Sequence, residues 1–160
     1  MVIDLTPDPS TPLICGKCHQ AVLLTHDQSY RRIRDLSVFD YRTILMVLRR
    51  RVWCPHCGGP QLEHIEWLEA YSRCTKRFAL WVAMLADKLT IKDAAEVTGL
   101  HWGTVQQIHQ EHLEETLGEP SLDGVTHIAM DEFAIQKGRR YATVIADALT
   151  HRVLWVAKGN

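Results

Sequence analysis

Four of the five cysteines form two pairs with identical spacing, Cys15-x-x-Cys18 and Cys54-x-x-Cys57. Two such pairs can bind one metal ion together, because four thiolates complete the tetrahedral shell that zinc prefers. The same spacing is typical of thiol–disulfide redox sites, but those lie within a strand–helix–strand pattern that neither pair shows. We therefore predict one closed, structural zinc (Zn²⁺) site formed by all four residues, with no open position for catalysis.

The overall composition is typical of a soluble, globular protein, with 46% hydrophobic and 23% charged residues among 160. No apolar run reaches the roughly 18 residues that a membrane span requires, and the first residues lack the basic and apolar regions of a signal peptide. We expect a cytoplasmic location, where reducing conditions favour metal-bound cysteines over disulfides. The fifth cysteine, Cys74, is interpreted as a buried apolar thiol.

The segment between the cysteine pairs is basic, although the net charge of the chain is −1. Between Tyr30 and Trp53 there are two aspartates and seven arginines: Arg31, Arg32, Arg34, Arg42, Arg49, Arg50 and Arg51. Such a cluster can contact DNA phosphates, or it can be an ordinary solvated surface. The three arginines that precede the second pair, Arg49, Arg50 and Arg51, are the first candidate DNA contacts.

Hydrophobic patterning predicts the elements that must position these residues. Residues 1–12 contain prolines and acidic residues and predict a flexible arm. Residues 13–68 predict a zinc ribbon with a hairpin inserted between the cysteine pairs. Residues 69–118 predict helices: an apolar one around Phe78–Leu85, a short one over Ile91–Thr98 capped by Thr90, a turn at Gly99, and one from about His101 to Leu117.

A short helix, a glycine turn and a longer helix form the helix–turn–helix arrangement. Its second helix usually lies in the DNA major groove. Glutamine can pair with adenine edges, and threonine can contact phosphate or a thymine methyl group. The candidate contacts on this helix are Trp102, Thr104, Gln106 and Gln107. A core position is an equal alternative for Trp102. A plain helical hairpin packed on another element is the alternative.

Residues 119–160 predict a meander of three strands, over Val125–Met130, Tyr141–Ala146 and Arg152–Ala157, with a turn at Lys137–Arg140. Asp131 follows the first strand. A carboxylate there can bind Mg²⁺ or Mn²⁺ through oxygen, but a turn-starting residue is the commoner role, and two-metal chemistry needs several carboxylates at one point.

The order of these parts closely resembles the bacterial insertion-sequence transposases of the ISL-three family. The resemblance covers residues 13–160. It rests on the four-cysteine ribbon, on Arg73-Cys74-Thr75-Lys76-Arg77-Phe78 before the helix–turn–helix, and on Asp131-Glu132-Phe133-Ala134-Ile135-Gln136-Lys137-Gly138-Arg139-Arg140-Tyr141. In the motif before the helices, Arg73, Lys76 and Arg77 are further candidate DNA contacts.

The resemblance implies that residues 119–160 begin an RNase H-like domain whose DDE triad binds two Mg²⁺ or Mn²⁺ ions for DNA strand cleavage and transfer. Asp131 matches the first triad residue, and Glu132 would point to the other face of its strand. The other two acidic residues lie beyond the meander in that family, so we expect a truncated chain with an incomplete, apolar-faced sheet that favours self-association.

The predicted fold class is therefore α+β and multi-module: zinc ribbon, helix–turn–helix, then an incomplete RNase H-like meander. The predicted function is that of the N-terminal part of a transposase, which binds terminal inverted repeats of double-stranded DNA without catalysing transposition alone. One alternative is a DNA-binding regulator whose β segment dimerises. Another is a nuclease completed by homo-oligomerisation.

Overall fold

A computed structural model describes residues 1–118, 120–136 and 140–158. The chain divides into two compact units, Met1–His112 and Leu113–Asn160. None of the helices within the described residues is long and apolar enough to cross a membrane.

The first unit is built on a long antiparallel hairpin, formed by β4 (Thr25–Val38) and β5 (Tyr41–Cys54). Each strand has 14 residues. The hairpin predicted between the cysteine pairs is thus present, and β5 runs directly into the second pair. Two further short strands, β2 (Leu13–Ile14) and β3 (Ala21–Val22), pair with each other around the first cysteine pair, and β6 (Gly59–Leu62) pairs with the end of β5.

The prediction of a flexible arm over residues 1–12 is wrong for its first part. Strand β1 (Val2–Leu5) pairs in parallel with β5 in the register Val2 to Ile44. Its alternate residues Ile3 and Leu5 pack on a buried cluster that includes Ile33. The free energy gained by burying apolar side chains on this cluster holds the segment in place despite its polar composition.

Three helices follow the hairpin: α1 (Lys76–Ala86), α2 (Ile91–Thr98) and α3 (Trp102–Leu117), of which α3 begins in the first unit and ends in the second. Their shared core contains Phe78, Val82, Ala94 and Val105, all fully buried. Cys74 belongs to the same core, which confirms the predicted buried thiol. Gly99 ends α2 in the left-handed conformation, with φ 67°, as the predicted turn requires.

The predicted cap of α2 is also confirmed. The hydroxyl of Thr90 accepts a hydrogen bond from the backbone amide of Asp93 at 3.2 Å. We expect Thr90→Ala to lower the free energy of unfolding of this unit by about 1 kcal/mol in urea titrations, because the amide then loses its acceptor. Thr90→Ser is the matched control, since it keeps the hydroxyl; equal losses for both variants would contradict this explanation.

The second unit contains one sheet of three antiparallel strands in sequence order: β7 (Ile128–Gln136), β8 (Arg140–Asp147) and β9 (Val153–Lys158). The predicted meander is confirmed. Its first strand does not end before Asp131, because residues 131–134 continue the ladder opposite residues 141–144. Most of the predicted turn, residues 137–139, lies outside the described residues.

Much of the apolar surface of this sheet is exposed. Ile128, Met130, Phe133, Trp155 and Val156 are each about half exposed or more, while Ala142 and Leu154 are buried. These exposed apolar side chains do not form a single face, because neighbours such as Trp155 and Val156 point to opposite sides of the sheet.

Candidate zinc centre and nucleic-acid interface

The structure brings the four paired cysteines to one point. Their sulfur atoms all lie within 4.8 Å of one another. Between the pairs, Cys18 Sγ lies 3.5 Å from Cys54 Sγ, and Cys15 Sγ lies 3.9 Å from Cys57 Sγ. A tetrahedron with zinc–sulfur bonds of about 2.3 Å has edges of about 3.8 Å. The donor set therefore fits one Zn²⁺ ion with a closed shell of four thiolates.

Two tight turns aim these sulfur atoms. In the first, the His19 amide donates to the Cys15 carbonyl at 2.9 Å; in the second, the Gly58 amide donates to the Cys54 carbonyl at 3.0 Å. His19 and Gly58 both have positive φ, 57° and 71°. Glycine takes this conformation without strain, which explains its place directly after the second pair.

Ionisation of the cluster is unequal among its members. Burial opposes ionisation of Cys15, but hydrogen bonds from the amides of Cys18 and Lys17 and from neighbouring thiols lower its pKa to about 7. Burial and the neighbouring thiols raise the pKa of Cys57 to about 12. Ionisation of one thiol thus makes ionisation of the neighbouring thiols less favourable. A bound divalent cation would offset this repulsion, because zinc binds thiolates and displaces their protons.

The redox interpretation of the pairs does not fit this arrangement. All five cysteines are free thiols. Sulfur–sulfur contacts of 3.5 and 3.9 Å join the two pairs, and both distances exceed the roughly 2.05 Å of a disulfide bond. Gathering four sulfurs is what a metal site requires, whereas a redox pair needs only two.

Two of the three arginines beside the second pair have carboxylate partners within the chain. Arg50 Nε donates to Glu63 Oε2 at 2.7 Å, and Arg51 Nε donates to Asp27 Oδ1 at 2.9 Å. The hydrogen bond from Arg51 lowers the pKa of Asp27 to about 2. Arg49 is only 8% exposed, so it offers DNA little surface. As DNA contacts these three residues stay predictions, and their acidic partners, 13 and 24 positions away, could not be identified from spacing.

The basic residues around the start of α1 have different roles. The side chains of Arg73, Lys76 and Arg77 are exposed. Lys76 forms an ion pair with Glu69 at 2.9 Å. Arg77 Nε donates to Asp35 Oδ1 at 2.8 Å and its Nη2 contacts Oδ2. Arg77 therefore also ties the first helix to the hairpin.

Asp35 is the centre of that connection. It is 1% exposed and also accepts a hydrogen bond from the Thr75 hydroxyl at 2.7 Å. Beside it, the Arg34 amide donates to the Arg73 carbonyl at 2.8 Å, and the Thr75 amide donates to the Arg34 carbonyl at 2.9 Å. Residues 73–75 thus extend the hairpin sheet, and the sequence contained no signal for this contact.

The candidate contacts on α3 all lie on its exposed side. Trp102, Thr104, Gln106 and Gln107 are exposed, and Trp102, at 57%, is not a core residue. Gln107 Nε2 donates to Glu111 Oε1 at 2.9 Å. The opposite side of the helix, with the buried Val105, faces the helical core. The structure therefore presents this row of side chains to solvent on a fixed helix.

Asp131 lies within β7 with an exposed side chain, and its Oδ1 accepts a hydrogen bond from the Glu132 amide at 2.8 Å. Glu132 accepts one from the Thr143 hydroxyl at 3.1 Å. Asp147 ends β8, where it is buried and accepts from the Leu149 amide and the Thr150 hydroxyl. Among the described residues, the four cysteines are the only metal-ligating group of three or more side chains.

Comparison with known proteins agrees with the first unit. A family model described as the zinc-finger of transposase IS204/IS1001/IS1096/IS1165 matches residues 11–57. A second, the helix-turn-helix domain of transposase family ISL3, matches residues 63–113. No solved structure matches significantly.

Curated relatives extend the likeness along most of the chain. Over 92% of its length, the chain is 40% identical to the transposase for insertion sequence element IS1001 of Bordetella parapertussis. Over 91% of its length, it is 27% identical to the transposase for insertion sequence element IS1557 of Mycobacterium tuberculosis. It covers 36% and 33% of these relatives. With its four-thiol centre and its helix–turn–helix, the chain belongs to the ISL3 family of transposases.

Proposed function

We propose that the chain binds double-stranded DNA, with α3 in the major groove and the zinc centre stabilising the hairpin on which the helices pack. The exposed row of Trp102, Thr104, Gln106 and Gln107 carries this proposal. A helix whose one side is fixed by a buried core and whose other side presents glutamine and threonine can read base edges. The family of the chain supports the same function.

The natural target is proposed to be the terminal inverted repeats of the insertion sequence that encodes the chain. A transposase must recognise the ends of its own element, and the curated relatives are transposases for insertion sequences. On this proposal residues 13–68 and 69–118 act as one DNA-binding module. A cytoplasmic location suits it, because the zinc thiolates need reducing conditions.

Residues 119–160 are proposed as the first strands of an RNase H-like domain, with Asp131 as its first acidic residue. The antiparallel meander and the place of Asp131 on β7 support this. Binding of Mg²⁺ or Mn²⁺ there requires further carboxylates, which the described residues do not bring together. The exposed apolar side chains of the sheet favour homo-oligomerisation. Catalysis of transposition by this chain alone is not part of the proposal.

The direct test is a gel-shift titration of the zinc-loaded protein on inverted-repeat DNA and on a mixed-sequence duplex. We expect binding that weakens steeply with salt and is tighter on the inverted repeat, since phosphate contacts release counterions and base contacts add specificity. Absence of binding to either duplex at low salt would contradict the proposal.

Base reading by α3 makes a narrower prediction. We expect Gln106→Ala to weaken binding to the inverted repeat by about 1–3 kcal/mol, the usual value of one bidentate base contact. Binding to the mixed-sequence duplex and the melting temperature should change little, because the side chain is exposed. The matched control is Gln20→Ala, an exposed glutamine beside the zinc centre. Equal effects of both variants would contradict base reading by α3.

A further inference from the structure

The end of the hairpin far from the zinc centre lies against the helix–turn–helix. Leu36, near the end of β4, packs on the helical core. Arg42, near the start of β5, extends to Gly99, and a Cβ atom added at Gly99 would overlap the Arg42 guanidinium. Gly99 is the residue that ends α2 and leads into α3. A cationic side chain is therefore fixed beside the turn of the motif.

Arg42 differs from the arginines near the zinc centre. Its side chain is exposed, and within the described part of the chain it forms no ion pair. Arg50, Arg51 and Arg77 each have a carboxylate partner. The guanidinium donors of Arg42 are thus available to an external acceptor, whereas those of the paired arginines are partly occupied.

A second guanidinium lies on the same face of the hairpin. Arg34 is opposite Ile44 in the ladder, and Arg42 is two positions before Ile44, so the two arginines are diagonal neighbours. Arg34 is held by hydrogen bonds from Nη1 to the Thr43 carbonyl at 3.2 Å and from Nη2 to Ser37 Oγ at 3.3 Å. Its guanidinium also lies 5.0 Å from the centre of the Phe78 ring.

The two positive charges repel each other without a carboxylate to balance both. Burial, followed by the charge of Arg42, lowers the pKa of Arg34. Asp35, the acid whose charge acts on Arg34, is already bound by Arg77 and Thr75. An anion placed between Arg34 and Arg42 would relieve the repulsion and accept charge-assisted hydrogen bonds.

We propose that Arg42, supported by Arg34, binds a backbone phosphate of DNA beside the turn between α2 and α3, and so sets the register of α3 in the groove. The inference rests on the proposed DNA binding and adds a specific phosphate site to it. Phosphate contacts of this kind position a protein on the duplex, while base contacts specify the sequence. The hairpin then contacts DNA at the end near the helices.

A purely structural role for Arg42 makes a different prediction. A cation at the end of α2 also interacts favourably with the exposed carbonyl groups of that helix. Loss of such an interaction lowers the melting temperature and leaves the salt dependence of DNA binding unchanged. A lost phosphate contact reduces the salt dependence instead, because fewer counterions are released.

The experiment measures the affinity for a mixed-sequence duplex against salt concentration, together with the melting temperature. We expect Arg42→Ala to reduce the slope of log K against log salt by about 0.9, the value for one phosphate on duplex DNA. Lys17→Ala, which removes an exposed positive charge at the zinc end of the first unit, should leave the slope unchanged. Equal decreases of the slope in both variants would contradict a specific phosphate site at Arg42.

A second measurement covers the case in which Arg42→Ala does not fold. Arg42→Gln keeps most of the side-chain volume, and a series of duplexes with one neutral methylphosphonate each removes single phosphate charges. At one position, the neutral methylphosphonate should weaken DNA binding by the wild type and leave DNA binding by Arg42→Gln unchanged. Unchanged slopes with no such position would overturn the phosphate site while leaving DNA binding intact. Absence of wild-type binding would overturn both proposals.

Discussion

Replacement of Cys54 by serine is expected to release the zinc and to unfold the hairpin end that carries the second cysteine pair. Cys54 is fully buried at the end of β5, and its sulfur lies 3.5 Å from that of Cys18. Structural zinc sites contribute an apparent binding free energy of about 10–16 kcal/mol, which exceeds the total stability of most domains. We expect about one zinc per wild-type chain, no bound zinc in the variant, and loss of its cooperative thermal transition.

The matched control for this experiment is Cys74→Ala. Cys74 is also buried, but it packs in the helical core and is not one of the four clustered cysteines. It should keep the full zinc content and lose only a little stability. Full zinc content in Cys54→Ser, or equal zinc loss in both variants, would contradict a four-cysteine site.

The second large effect is expected at Asp35, which joins the hairpin to α1. We expect Asp35→Ala to lower the free energy of unfolding by about 2–3 kcal/mol, because the buried Thr75 hydroxyl and the Arg77 guanidinium lose their acceptor. The loss stays below that of a fully buried ion pair, since the Arg77 side chain is 68% exposed. Urea unfolding of wild type and variant measures it directly.

The same contact predicts a pH dependence. The hydrogen bond from Arg77, followed by that from Thr75, holds the pKa of Asp35 below its usual range. A carboxyl group whose pKa is lower in the folded state stabilises the fold above its unfolded pKa, and this contribution is lost as the pH falls through the folded value. Wild type should therefore lose more stability than Asp35→Asn between about pH 4 and pH 2. Identical pH profiles would exclude this role.

Local signals in the sequence were sufficient for the zinc site and for α2. The cysteine spacing defines two turns and their chemistry, and Thr90 and Gly99 mark the helix ends because capping depends on only a few neighbouring residues. The exposure of Thr104, Gln106 and Gln107 on α3 was predictable for the same reason, because side chains three or four positions from the buried Val105 share its face and the others point outward. The exposure of Trp102 was not, because it lies three positions before Val105 and is still 57% exposed.

Contacts between distant segments were not predictable in this way. Strand β1 pairs with residues more than forty positions away, and its short alternation of apolar residues is hidden by neighbouring prolines and acids. Glu63 and Asp27 pair with Arg50 and Arg51 only because β4, β5 and the segment after β6 become neighbours. Strand β7 continues through Asp131 because its partner strand supplies the ladder, whatever the polarity of the residue.

The 14-residue strands of the hairpin also set a length scale. At about 3.3 Å per residue, each strand spans roughly 45 Å from the zinc centre to the turn beside α3. One turn of B-form DNA rises about 34 Å. The hairpin is therefore longer than one turn of the double helix. A duplex aligned with the hairpin and bound by α3 would reach the zinc centre more than one helical turn away from α3.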